Sequence, residues 1–272
     1  MVVRGPWTHK ASAAIVAEGV NRLVLNQGLG FTEPSLHFLR DLPIRELVLV
    51  DRSIEDLDPI HSLGPTLEAR SLSTAAGPEL DLGKLPKLTR LGACWAQVSR
   101  TLPAGAAVRS LFLLAYKETN LRPLAGMTNL VDLAMKDRPR LATLEGLQAL
   151  PALRTLGIYL ASNLQDVSLI AERPMIDSLT LEKCRRISRL DSLQELRTLR
   201  QLNVSDCGDI ETIAPLRGLS QLRHLLLYGS IRIVDDDLAP LLDLPALREL
   251  RMQGRRSYRP SVQEVQDAIA GD

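Results

Sequence analysis

Four stretches of the chain repeat one arrangement of apolar and polar positions. Leu153, Leu156 and Ile158; Ile176, Leu179 and Leu181; Leu199, Leu202 and Val204; and Leu222, Leu225 and Leu227 share the spacing L-x-x-L-x-L and begin 23 residues apart. Extending the frame finds further starts at Val20, Ile44, Leu67, Leu88, Val108, Leu130 and Leu247, which makes eleven units of 20 to 25 residues. The L-x-L step has the period of a strand, so Leu179 and Leu181 point to one side while Ser178, Thr180 and Glu182 point to the other. One such strand cannot bury its apolar face alone. Each unit therefore carries a second apolar group at helical or 3-10 spacing, such as Ile187, Leu190, Leu193 and Leu196, or Ile210, Ile213, Leu216 and Leu219. Stacked units would enclose a continuous core between a parallel sheet and a layer of short turns. Pro43, Pro86, Pro151 and Pro245 each fall shortly before a strand, where proline ends the preceding segment and favours extended geometry.

This pattern resembles the leucine-rich repeat family, in a degenerate bacterial form loosely similar to the internalin and SDS22-like classes. The resemblance implies an α/β solenoid: a curved stack of about 11 repeats, a parallel β-sheet on the concave face and short helical or 3-10 segments on the convex face. Eleven strands about 4.8 Å apart would span an arc of roughly 50 Å. The family places Asn or Cys three residues after the third apolar position, bonding backbone between turns; here only Cys184 and Cys207 match, and both are expected inward as free thiols. The whole of 1–272 is expected to be one repeat domain, with 1–19 as N-terminal cap, 20–254 as repeats and 255–272 as a C-terminal capping helix. Trp7 and a helix over 8–19 would close the first repeat. Ser261 with Glu264 forms a capping box ahead of the apolar stripe Val262, Val265, Ala268 and Ile269. One repeat departs from the frame, because it turns Arg70 toward the core, where an unpaired charge is costly. A one-residue slip that turns Leu67 and Ala69 inward and Arg70 outward is expected.

Composition fits a repeat protein. Leucine fills 53 of 272 positions whereas aromatic residues make up only 3%, so one aliphatic side chain builds most of the core. The 33 basic and 32 acidic residues nearly cancel, which excludes a simple polycation, and an apolar content of 45% excludes a disordered chain. No run of apolar residues is long enough to span a membrane. The Ala-rich stretch 11–17 is followed at once by Glu18 and Arg22, so a capping helix is preferred to a signal peptide. Three scattered cysteines favour a reducing compartment, and a cytoplasmic protein is expected.

Motifs for catalysis are absent from the sequence: no phosphate loop, no G-x-S-x-G, no H-E-x-x-H and no C-x-x-C. His9, His37, His61 and His224 fall in different units, and Asp235, Asp236 and Asp237 read as a cap for the following turn rather than a calcium loop. The expectation is a non-enzymatic chain with no metal or cofactor. Arginines gather at 185, 186, 189, 197 and 200 and again at 248, 251, 255, 256 and 259. With near-zero net charge and few aromatics, they read as solvated loops and rims, and the functional alternative is an acidic protein partner rather than nucleic acid.

The outward strand positions define the candidate site. In a chain this poor in aromatics, Phe112, Tyr159 and Tyr228 at such positions are interface anchors, with Leu114, Leu226 and Trp95 beside them. Glu46, Asp132, Lys136, Glu182 and Arg251 would confer specificity. The resulting expectation is a protein-binding module: a recognition subunit of a bacterial defence or signalling system, or an inhibitor or immunity protein. The alternative is a surface or adhesion protein binding a host or carbohydrate ligand. Oligomeric state is not encoded in any of these features.

Overall fold

The computed structural model describes residues 1–40, 42–74, 77–102, 107–173 and 175–271. They cluster in two compact units, Met1–Ala115 with Gly126–Leu130, and Tyr116–Ala125 with Val131–Asp272. In the first, six strands lie parallel in chain order: β1 (Val2–Val3), β2 (Arg22–Asn26), β3 (Glu46–Val50), β4 (Ala69–Ser73), β5 (Arg90–Cys94) and β6 (Ser110–Leu114). The second has β7 (Asp132–Lys136), β8 (Thr155–Tyr159), β9 (Ser178–Glu182), β10 (Gln201–Ser205), β11 (His224–Leu227) and β12 (Glu249–Met252), again parallel and consecutive. All eleven expected strands form, each in the L-x-x-L-x-L frame, β4 included. β1 is an addition from the N-terminal segment.

Register explains the core. Pairing is in phase, so each apolar position forms a column across the strands, as in Leu133, Leu156, Leu179, Leu202, Leu225 and Leu250. These side chains are buried. The chain returns opposite many of the strands through short 3-10 turns, for example Asp191–Glu195, Ala214–Gly218 and Ala239–Asp243. Their apolar residues Leu193, Leu216 and Leu241 close over the strand columns, as the second apolar group of each unit predicts.

A left-handed residue follows several strands: Asp137, Leu160, Lys183 and Asp206 all have φ between 51° and 62°. The reversal turns the next side chain inward after β8, β9 and β10, burying Ala161, Cys184 and Cys207. Both thiols are free and donate to backbone carbonyls, Cys207 Sγ to Leu181 O at 3.2 Å and Cys184 Sγ to Ile158 O at 3.6 Å. Hydrogen bonding with Cys184, together with burial, pushes the Cys207 thiol well above the usual range.

Both caps form. Thr8 caps α1 (His9–Ala17), Trp7 stacks on Phe38 at 4.0 Å, and Phe31 meets Phe38 edge-on. At the other end Ser261 and Glu264 bond each other's backbone N–H ahead of α3 (Val262–Gly271). Val262 and Val265 are buried there, whereas Ala268 is exposed. The triple aspartate also acts as a cap, with Asp237 Oδ1 accepting from Ala239 N–H at 2.9 Å.

The expected slip at Arg70 does not occur. Arg70 pairs in register between Leu47 and Leu91, is 3% exposed, and leaves Ser71 outward. Sliding β4 by one residue would turn Leu72 out and Ser71 and Ser73 in, so the leucine frame outweighs one misplaced charge.

Candidate functional site

The outward strand positions form ordered rows in each unit. In the first, one row reads Arg22, Glu46, Ala69, Arg90, Ser110, and the next Val24, Val48, Ser71, Gly92, Phe112. Small side chains at Ala69, Ser71 and Gly92 leave a cleft of about 260 Å³ between Val48 and Phe112. There is little spare room on its floor, since a Cβ on Gly92 would sit 3.3 Å from Ser71 Oγ. Glu46 rims the cleft, held by Arg90 at 2.5 Å and Arg22 at 3.7 Å. All three side chains are more than a third exposed, so these pairs orient the carboxylate more than they stabilise the fold.

In the second unit the rows read Asp132, Thr155, Ser178, Gln201, His224, Glu249, and then Ala134, Gly157, Thr180, Asn203, Leu226, Arg251. Tyr159 lies flat across the face: a Cβ on Gly157 would fall 3.0 Å from its ring, and Lys136 Nζ sits 4.4 Å above its centroid. Glycine at 157 thus makes the bed for the ring, and Lys136 covers it by a cation–π contact. Tyr228 is uncovered, 44% exposed, and lines a cleft of about 680 Å³ with Leu226, Arg251, Gln253 and Gln266. An adjoining cleft of about 300 Å³ is lined by hydroxyl, amide and imidazole groups of Ser178, Thr180, Gln201, Asn203 and His224.

Of the expected site residues, Glu46, Phe112 and Leu114 lie outward in the first unit; Asp132, Lys136, Tyr159, Glu182, Leu226, Tyr228 and Arg251 do so in the second. The structure joins Lys136 to Tyr159, and Leu226 to Tyr228 and Arg251. Trp95 is a correction. It starts the short helix α2 (Trp95–Val98) and is 6% exposed, so it packs inside and is not an open anchor.

Sequence reasoning missed the cluster around Glu249, which lies 3.0 Å from His224 Nδ1 and 2.5 Å from Arg251 Nε. The His224 and Arg251 hydrogen bonds, in that order, hold its carboxyl below the usual range. A depressed carboxylate favours the folded state above its ordinary pKa, and that contribution fades as pH falls through the lowered value. NMR titration should place the Glu249 midpoint below 4.5, and His224→Ala with Arg251→Ala should return it there. An unchanged midpoint in the double variant would show that another group sets it. The signal was available, since His224 and Glu249 occupy equivalent positions in successive repeats.

Among the described residues no group of three or more His, Cys, Asp or Glu is placed to hold a metal ion. Nor is any described helix long and apolar enough to cross a membrane.

No family model matches the chain, and no curated protein does. Solved structures do. The TLR13–ssRNA13 complex aligns with a TM-score of 0.56 at 18% identity, covering 85% of this chain and 39% of that one. The functional domain of InlJ from Listeria monocytogenes, which includes a cysteine ladder, aligns at 0.50 and 13% identity, covering 75% and 47%. The chain spans less than half the length of either. Together with the register described above, the likeness establishes the fold that the L-x-x-L-x-L frame implies.

Proposed function

We propose that this leucine-rich-repeat chain is a non-enzymatic binding module whose outward strand positions recognise a protein partner. The observation that carries the reading is Tyr228, exposed in a cleft beside Leu226 and Arg251. Phe31, Trp95, Tyr116 and Tyr258 are buried, so an open aromatic with an apolar and a cationic neighbour is a distinctive feature of this surface. Aromatic and arginine side chains are the types that anchor interfaces, because they bury much area at low entropic cost. In the first unit, Phe112 over its small-residue cleft is a second such anchor. A recognition subunit of a bacterial signalling or defence system, or an inhibitor covering an enzyme, would use these surfaces alike. Its compartment in either role is the cytoplasm.

The test is capture of partners by the wild-type chain, a Tyr228→Ala variant and a Phe112→Ala variant, each verified as folded by circular dichroism. A partner identified by mass spectrometry should bind the Tyr228 variant at least about tenfold more weakly, the scale of an interface hot spot. Equal binding to all three proteins would remove the outward strand positions as the site.

A further inference from the structure

The arginines that matter in the second unit are grouped by the stacking of repeats, not by nearness in sequence. Arg200, Arg223 and Arg248 each stand immediately before a strand, at the starts of β10, β11 and β12. They are adjacent rungs: Arg223 N–H donates to Arg200 O and Arg248 N–H to Arg223 O, both at 2.9 Å. Parallel strands lie about 4.8 Å apart, so the three exposed side chains leave one sheet edge at that interval.

Among the described residues, the absence of an acidic partner is shared with other arginines of this unit, such as Arg185 and Arg256; the regular row sets these three apart. Elsewhere in this unit Arg122, Arg189, Arg217, Arg232 and Arg251 each pair with a carboxylate. Among the described residues, Arg200, Arg223 and Arg248 have no acidic side chain within ion-pair distance, and only Arg248 has a side-chain hydrogen bond, to the carbonyls of Pro245 and Leu247. The acid that follows Arg248 in sequence, Glu249, is occupied by His224 and Arg251. A row of like charges held at strand spacing is repulsive in the free chain and is relieved by anionic groups arriving from outside.

We propose that this edge binds an acidic, extended peptide segment of the protein partner, its carboxylates meeting Arg200, Arg223 and Arg248 and its main chain lying along the adjoining polar cleft. The inference rests on the protein-binding reading and specifies the partner's chemistry. Successive same-side residues of an extended peptide are about 6.8 Å apart. Two acidic residues separated by one other therefore reach two or three rungs through the flexible arginine stems. The cleft beside the row offers the hydroxyls of Ser178 and Thr180 and the amides of Gln201 and Asn203, groups that pair with peptide N–H and C=O, while its carboxylate, Glu249, is already bonded to His224 and Arg251. It offers no aromatic platform for bases, and Asp177 stands on the next rung, where it would repel a continuous phosphodiester chain.

Fluorescence anisotropy at low salt would test this with a pool of octapeptides carrying two central glutamates one residue apart, the same pool with glutamines, and an oligothymidylate. The glutamate pool should bind the wild-type chain at least about tenfold more tightly than the glutamine pool. That preference should vanish in Arg200→Gln, Arg223→Gln, Arg248→Gln. It should persist in Arg185→Gln, Arg186→Gln, Arg256→Gln, which removes the same charge from other exposed positions. Equal loss in both variants, no preference in the wild type, or tighter binding of the oligothymidylate would each overturn the assignment. A captured partner lost by Tyr228→Ala yet kept by the Arg200, Arg223, Arg248 variant would overturn this inference alone. One kept by both variants overturns the binding reading with it.

Discussion

Arg70→Leu is expected to make the protein more stable, by about 1 to 4 kcal/mol, the range seen when buried charged groups are replaced by packed apolar ones. The side chain stands in a column that otherwise reads Leu23, Leu47, Leu91, Leu111. None of its three guanidinium nitrogens has a hydrogen-bond partner. Burial alone holds its pKa well below the usual arginine value. For a base, that direction means the folded state holds the proton less tightly than the unfolded state does. The folded state is therefore penalised at neutral pH, and the penalty shrinks as pH rises from the lowered value toward the ordinary one. Leucine removes the charge and completes the column. It is also smaller, so residual cavity sets the lower end of the range. Urea unfolding at neutral pH measures the change, with Arg70→Lys as the variant that keeps a charge and should gain nothing. An unchanged or lower midpoint for leucine would mean that the guanidinium meets a compensating group.

The same position shows where reading the sequence succeeds and fails. The strand frame is legible because two periods coincide, the alternation within a strand and the 23-residue return of Leu153, Ile176, Leu199 and Leu222. A rule about one residue, that an unpaired arginine avoids the core, argues for a slip in β4. The slip loses because it would disturb backbone pairing with both β3 and β5 and expose Leu72. Trp95 is misplaced for a different reason: the chain leaves β5 directly into a helical turn, so strand alternation stops applying one residue after Cys94. Grouping arginines by nearness in sequence places Arg200 with Arg185 and Arg248 with Arg255, and overlooks Arg223. The fold groups residues one repeat apart, and the recurring Leu-Arg step at 199–200, 222–223 and 247–248 carries that information. Pairings such as His224 with Glu249 depend on side-chain direction as well as register, which the repeat pattern alone does not determine.

Leu202→Ala should show how the second unit is held together, with an expected loss of about 2 to 5 kcal/mol. Leu202 is fully buried and pairs in register with Leu179 on one side and Leu225 on the other. Repeats in such a stack are stabilised chiefly by their neighbours, so truncating an interior leucine weakens two interfaces rather than one local contact. The effect should extend beyond the midpoint of unfolding. Weak coupling at β10 lets the strands on either side open separately, which lowers the dependence of stability on urea concentration as two-state behaviour is lost. Thr180→Ala, an outward change on the adjacent strand, should stay within about 0.5 kcal/mol and leave that slope unchanged. A large effect at Thr180 with a small one at Leu202 would reverse the inward and outward assignments on which both binding proposals depend. Loss of slope in the Leu202 variant alone would tie stability to the same repeat-to-repeat register that brings Arg200, Arg223 and Arg248 into one row.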